Sequence, residues 1–502
     1  MRAAKGAHRH TGWYVVGVIA LLVAWLGLPG ARSVAAPPSD APVTTLADPD
    51  DVVAPALAAN APNIFFYNLD DLRDAFPGGI DPLQYMPKTR QWMSSGLRYT
   101  NMFVSIPACC PSRAAMMTGR YSHNNGVRLQ SQGPLFDGAH SMACYLKNNG
   151  YATYEDGKFL TTWPRTQTPP CFDHSTVIWG GYNNVDSRVD GVYRKTSGYS
   201  TVVLGTRGRE YITQGLATGK PFILYETPQA PHWVDTTVNG VATRLAVPAT
   251  KYQSAAVAAC AGVPEADRSD KPPYIRRMAF TTTQGQAMCQ SQMRAIMTAD
   301  DEFAATMQLL SDRGVLANTL VIFTADNGYM WGEHGRTEKF VPYEPSLRVP
   351  VMLRWPGHIA AGTDTTRIVS YLDFLPTILE AAGVTIPVGA PPLDGESLLQ
   401  PSHRTAMFTE YWADTENGQI NGVPTVDTWK MVRQGTIKYV QTYNAAGAVT
   451  FREYYNLAND PAENTNLLGD ANTANDPSPA EVARVTALLN AFATCAGAAC
   501  VK

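Results

Sequence analysis

The chain is 502 residues long, 45% hydrophobic and 17% charged, and 40 Lys and Arg against 43 Asp and Glu leave a net charge of −3. That much apolar side chain fills a sizeable core, which excludes a mainly disordered polypeptide. A near-neutral charge excludes nucleic-acid binding through bulk electrostatics, and neither a glycine period nor a solenoid-length repeat is present. At roughly 150 residues per domain, the length suggests about three domains, or two of unequal size.

In chain order, the first feature is an export signal. Arg2, Lys5 and Arg9 form a basic start, Trp13 to about Pro29 is apolar, and Ser33-Val34-Ala35-Ala36 supplies small residues for cleavage. This is the pattern of a secretory signal over residues 1–36, with an uncleaved anchor as the alternative reading. Residues 37–61, rich in Pro, Ala and Asp, read as a flexible leader. No second run reaches transmembrane length, and no N-x-[ST] site occurs. The expectation is a bacterial protein that is secreted, periplasmic or cell-surface, with no stable membrane partner after cleavage and no nucleic-acid partner.

Beyond the leader, strands and helices alternate. Asn63 to Asn68 reads as a short buried strand ending in Asp70-Asp71, and Pro111 to Gly119 as a helix opened by Pro and closed by Gly. Tyr151–Glu155 and Pro221–Glu226 read as strands, the second running on to His232. Met288–Arg313 has helical apolar spacing. Thr319–Thr324 is a strand delivering Asp326-Asn327, and Val349–Arg354 is another. Apolar strands separated by helices predict an α/β fold with a mainly parallel sheet sandwiched by helices. Its chemistry collects at the carboxyl ends of strands, where Asp70, Asp71, His232, Asp326 and Asn327 all fall. Lys430–Tyr443 and the surroundings of Tyr454 read as antiparallel strands, followed by a helix from Pro479 to Phe492. The expected organisation is a main domain over 62–404 and a smaller C-terminal α+β subdomain over 405–502.

Eight cysteines fit an oxidising compartment. They allow 105 full pairings, and pairing sequence neighbours among six of them gives Cys144–Cys171, Cys260–Cys289 and Cys495–Cys500. Cys109 and Cys110 stand apart as an adjacent pair.

Asp70, Asp71, Asp326 and Asn327 form two hard-oxygen pairs at separate strand ends. Such a set suits Ca²⁺, with Mg²⁺ the second choice, rather than zinc. An ion there would hold an anionic substrate and help ionise a nucleophile. Arg113, Lys158, His232 and Lys339 lie near strand ends or helix starts and could join the oxygen ligands.

Cys109-Cys110-Pro111-Ser112-Arg113 with Thr118-Gly119-Arg120 resembles the type I sulfatase signature, C-x-P-S-R followed by TGR. The resemblance spans nearly the whole mature chain. Gly157-Lys158 resembles the family's GK segment, Ala230-Pro231-His232 its APH segment, and Asp326-Asn327-Gly328 its second metal segment. Tyr343-Glu344 to Pro350, Leu393 to Leu398 and Asn456 to Leu467 resemble later landmarks. The branch most similar holds N-acetylglucosamine-6-sulfatases and related heparan-sulfate sulfatases.

That resemblance implies an alkaline-phosphatase-like α/β core and a specific chemistry. Cys109 would be converted to Cα-formylglycine by a formylglycine-generating enzyme. One oxygen of the hydrated aldehyde would attack sulfur and expel an alcohol, and the second would let the carbonyl re-form and release sulfate. Asp70, Asp71, position 109, Asp326 and Asn327 would hold the calcium ion. Arg113 would orient the diol, and Lys158, His232 and Lys339 would bind sulfate oxygens and stabilise the leaving group. His232 or Lys339 would protonate the leaving group. The substrate would be a sulfated sugar or aryl sulfate.

Many sulfatases carry a histidine two places after the GK lysine, where this chain has Gly157-Lys158-Phe159-Leu160. His123 is a candidate replacement or a structural loop residue, and His334 a candidate for the substrate rim. Gly180 to Tyr193 and Val238 to Pro273 read as inserts at that rim. The alternatives are a phosphonate or phosphate monoester hydrolase of the same superfamily and an inactive sulfated-glycan binder. Oxygen-only ligation and the intact signature argue for the sulfatase.

Overall fold

The computed structural model describes residues 60–76, 79–238, 241–262, 265–414 and 425–501. The signal segment over residues 1–36 and the leader to residue 59 lie outside them. Among the described residues no helix is long and apolar enough to cross a membrane.

The central sheet is built from β1 (Asn63–Leu69), β2 (Leu97–Tyr99), β3 (Ala152–Gly157), β4 (His174–Ile178), β5 (Asp186–Val189), β6 (Val192–Lys195), β7 (Phe222–Thr227), β8 (Thr319–Ala325), β9 (Val351–Arg354) and β10 (Gly362–Asp364). Their spatial order is β10-β2-β9-β8-β1-β7-β3-β4-β5-β6. The middle five, β8-β1-β7-β3-β4, are all parallel, so their carboxyl ends share one edge. β9 runs antiparallel to both neighbours, and β5 and β6 form an antiparallel hairpin at the other margin. Gly180–Tyr193, expected as a rim insert, is therefore largely an edge hairpin of this sheet.

The middle strands are apolar because both faces are covered. β1 is buried throughout, and its side chains alternate between two helical layers. Phe65 and Tyr67 pack on Phe303, in the helix Thr282–Asp312, whereas Phe66 meets Phe374, in the helix Phe374–Ala382. The helices that matter here are α1 (Cys109–Thr118), α2 (Ser200–Ala217), α3 (Thr282–Asp312), α4 (Phe374–Ala382) and α5 (Pro479–Phe492). α3 begins six residues before the predicted Met288. Thr281 and Gln284 form a capping box that satisfies the first turn, so the helix extends ahead of its apolar stripe.

A four-stranded antiparallel meander follows: β11 (Ala406–Tyr411), β12 (Thr428–Gln434), β13 (Ile437–Tyr443) and β14 (Val449–Asn456). It shares one contiguous apolar core with the central sheet. Trp429 donates to the carbonyl of Phe340 at 2.8 Å, and Glu453 accepts from Tyr343 at 2.9 Å. The meander therefore fixes both ends of the 340–343 turn, next to Lys339.

The three bridges are Cys144–Cys171, Cys260–Cys289 and Cys495–Cys500, with Cα separations of 4.9, 6.1 and 5.2 Å. Nearest-neighbour pairing holds, and Cys109 and Cys110 are both free and buried.

Candidate active site

Four strand ends and one helix start converge at the carboxyl edge of the sheet. Asp70 and Asp71 follow β1, Lys158 follows β3, His232 lies five residues past β7, and Asp326 and Asn327 follow β8. Backbone bonds continue the ladder past the strands: Asp326 N–H donates to Leu69 (3.0 Å), Asp70 N–H to Ala230 (3.1 Å) and Lys158 N–H to Thr227 (2.8 Å). These tie the site residues to one another before any side chain is considered. Gly157, at φ +133, permits the approach of β3 to β7, since a Cβ there would lie 2.2 Å from the Thr227 oxygen.

Cys109 is the first residue of α1, two places earlier than the predicted start at Pro111. A proline in the first turn removes an N–H that has no intrahelical partner anyway, so the helix begins ahead of it. Cys109 Sγ lies 3.5 Å from Asp70 Oδ1 and 2.6 Å from Lys339 Nζ. Cys110 instead joins the apolar core, and its N–H donates to Gln130 Oε1 at 2.8 Å. Burial pushes the Cys109 thiol up to about 12, against Lys158 and Lys339, so an unmodified thiol there is neutral.

The carboxylates and cations interlock. Lys158 Nζ bonds Asp70 Oδ2, and Lys339 Nζ bonds Asp71 Oδ1. Arg113 Nε donates to Asp326 Oδ2 at 2.8 Å, Nη1 bonds the carbonyl of Lys158, and Nη2 is 3.9 Å from Asp70 Oδ1. Asp326 Oδ1 accepts the Asp71 N–H at 3.1 Å, holding Asp71 at φ +69. Burial opposes ionisation of Asp70, but Lys158 and then His232 outweigh it and hold the carboxyl down to about 2. Burial likewise opposes the charge on Lys158 and Lys339, and Asp70 and Asp71 respectively reverse it, raising both ammonium groups.

His232 Nδ1 lies 2.6 Å from the Trp233 carbonyl, which makes it the N–H nitrogen and turns Nε2 toward Asp71 Oδ2 at 3.5 Å. Burial and then Lys158 lower its basicity. Tyr182, which sequence reading did not assign to the site, donates its hydroxyl to the His232 carbonyl at 2.6 Å. The double glycine before Tyr182 was the available signal.

The carboxylate and amide oxygens here, not the neighbouring thiol and imidazole, fit a hard cation. Asp70, Asp71, Cys109 and His232 each bring a ligand atom within 4.8 Å of the others. Asp71 Oδ2 and Asn327 Oδ1 are buried oxygens without a hydrogen-bond partner, while Asn327 Nδ2 donates to Asp71 Oδ1 at 2.6 Å. Arg113 Nη2 is an orphan donor of the same kind.

Two expectations need correction. His123 is not at this cluster. Its Nδ1 is 2.8 Å from Glu410 Oε1 and its Nε2 is 3.1 Å from the Cys495 carbonyl, so both nitrogens serve a contact between the loop after α1 and the C-terminal segment. His334 is not on a rim: it is buried against Tyr343, with Nδ1 2.8 Å from Glu265. The position two places after Lys158 is Leu160, packed in the core.

Residues 62–384, more than half the chain, match the family described as Sulfatase, and residues 332–478 match N-sulphoglucosamine sulphohydrolase, C-terminal. The chain is similar to an arylsulfatase of Chlamydomonas reinhardtii, 29% identical over 89% of this chain and 77% of that protein. It is 24% identical to an N-acetylglucosamine-6-O-sulfatase of Bacteroides thetaiotaomicron, over 82% and 84% of the two chains. The fold is shared with a solved enzyme in complex with its substrate D-glucosamine-2-N,6-O-disulfate, at TM-score 0.65 and 21% identity over 86% of this chain and 96% of that one. It is equally shared with the phosphonate monoester hydrolase of Agrobacterium radiobacter, at TM-score 0.65 and 19% identity over 86% and 95%.

Proposed function

The chain belongs to the sulfatase family and is a sulfuric ester hydrolase, and on that premise we propose that it cleaves a sulfated sugar or aryl sulfate from position 109. The supporting observation is the convergence of Cys109 with Lys339, Asp70 and Asp71 at the start of α1. Oxidation of Cys109 to formylglycine supplies a hydrated aldehyde, one oxygen of which attacks sulfur while the other later restores the carbonyl and frees sulfate. A calcium ion held by Asp70, Asp71, Asp326 and Asn327 supplies positive charge beside the reacting oxygens.

The protein's own groups then divide the work. Arg113 Nη2, buried and unpartnered, holds an oxygen at position 109. Asp326, fixed by Arg113 and the Asp71 N–H, takes the proton of the attacking oxygen. Lys158 and Lys339 hold the sulfate oxygens, and the N-terminus of α1 favours the same negative charge. His232 Nε2 or Lys339 Nζ holds the proton for the departing alcohol.

Charge arithmetic favours sulfate. Asp70, Asp71 and Asp326 balance Lys158, Lys339 and Arg113, three against three. A divalent cation leaves about +2, matched by a sulfate monoester (−1) and an ionised oxygen at 109 (−1). A phosphate monoester, nearly a dianion, overshoots. The test is kcat/KM on matched aryl sulfate and aryl phosphate: sulfate should lead by orders of magnitude, and comparable values would overturn the assignment. Homologues named as extracellular sulfatases support export as part of this reading.

A further inference from the structure

Arg244 joins the segments that carry two of the site's polar side chains. It lies on the return strand of the hairpin Val234–Val238/Val241–Leu245, directly opposite Asp235. Its guanidinium carbon sits 4.4 Å from the centre of the Trp233 ring, and that ring stacks on His232 with centroids 5.1 Å apart. Its Nη1 donates to Glu338 Oε1 at 2.7 Å, and its Nε reaches Asp235 Oδ1 at 3.4 Å. Trp233 immediately follows His232, and Glu338 immediately precedes Lys339. His232 and Lys339 in turn meet the two oxygens of one carboxylate, Asp71. One guanidinium thus braces both residues from outside the reacting centre.

We propose that Arg244 is a positioning residue that sets the spacing of His232 and Lys339, so that both reach the sulfate group together. The inference rests on the sulfatase reading above. The shape of the side chain carries it. A planar fork covers an aromatic face and still donates in its own plane to a carboxylate. Burial shields the pair, since Arg244 is 14% and Glu338 3% exposed in their side chains, so the charge-assisted bond is not screened as a surface pair would be. Glu338 sits at φ +71, a conformation that disfavours side chains, and Arg244 clamps that residue immediately before Lys339. Lysine could reach Glu338 but not also cover Trp233. Small misplacement of groups around a reacting centre costs rate steeply, whereas ground-state binding suffers less.

The test uses the full chain carrying Arg244→Ala and Arg244→Lys, with kcat and KM on an aryl sulfate and the Kd of inorganic sulfate by calorimetry. The Ala variant should lose ~10–100-fold in kcat while KM rises no more than about fivefold, and the Lys variant should fall between it and the parent. A folded Ala variant with kcat within twofold of the parent overturns the proposal. If Ala does not fold, the Lys variant decides by the same criterion. A parent chain that turns over no aryl sulfate counts against the hydrolase reading on that substrate. The same kcat criterion is then applied on a sulfated monosaccharide: a loss of ~10-fold or more in the Ala variant, with the sulfate Kd within about fivefold of the parent, supports the proposal, and a kcat within twofold overturns it.

Discussion

The Lys339 ammonium nitrogen lies 2.6 Å from the Cys109 sulfur, although 230 residues separate them in the chain. Cys110, next along, points into the apolar core instead. Cys109→Ala should therefore eliminate turnover and any aldehyde at this position, while Cys110→Ala should retain most of both. The mass of the peptide ending at Arg113 checks the aldehyde directly, since conversion removes the elements of H₂S and adds one oxygen, which also sets it apart from a serine. An aldehyde mapped to position 110 contradicts the assignment.

The proposed cation site predicts metal dependence, since Asp71 and Asn327 each keep a buried oxygen without a hydrogen-bond partner. Exhaustive EGTA treatment should abolish activity, and added Ca²⁺ should restore it. Asp326→Ala should cut kcat by at least ~10²-fold, because it removes a proposed cation ligand together with the partner of Arg113. Full activity in a preparation that elemental analysis finds metal-free would refute the cation.

His123 should matter for stability and not for turnover. Its ring bonds Glu410, which is almost fully buried, so His123→Ala removes the ring partner of that carboxylate and leaves it the backbone N–H of position 123, 3.1 Å from Oε1. The expected cost is about 2–4 kcal/mol in denaturant unfolding, with kcat on an aryl sulfate within about twofold. A kcat collapse in a normally stable variant would return His123 to the chemistry.

Glu226 predicts a pH trend. It faces Asp156 on β3, Tyr67 on β1, Arg209 on α2 and Glu302 on α3, and burial, against Arg209, pushes its carboxyl up to about 8. The folded state then holds a proton that the unfolded state releases near 4.5. Stability should fall as pH rises from about 4.5 to 8, by about 1.4 kcal/mol per unit for this one group. Asp156 and Glu155, also raised by burial, add to the slope. Glu226→Gln removes one titrating proton and should flatten the Tm profile over that window. An unaltered slope would mean that Glu226 ionises normally.

Much of this was legible because the middle strands of a parallel sheet are apolar runs, and polar residues directly after such runs stand at the carboxyl edge. Asp70, Asp71, Asp326 and Asn327 were found that way. His123 misled because its loop follows α1 closely, and nothing local reveals an acceptor at Cys495, 372 residues later. The start of α1 was misplaced because Pro was read as the first helical residue rather than the third. Arg244 gave no signal at all: its meaning comes from the pairing of two short hairpin strands, which brings it over Trp233, and from a turn near position 338 that no periodicity encodes.

The ladder between β1 and β8 also sets a timetable. Position 109 cannot be enclosed until the ribosome has delivered β8 and the turn that carries Lys339, 230 residues later. At ~5–20 residues per second, that delay is roughly 10–50 s. Throughout it position 109 lacks the strand and turn that enclose it, and in the folded chain the same residue is 1% exposed. The maturation enzyme proposed for Cys109 would thus work within an interval whose length is written into strand order, and a shorter connection between the two strands would narrow it.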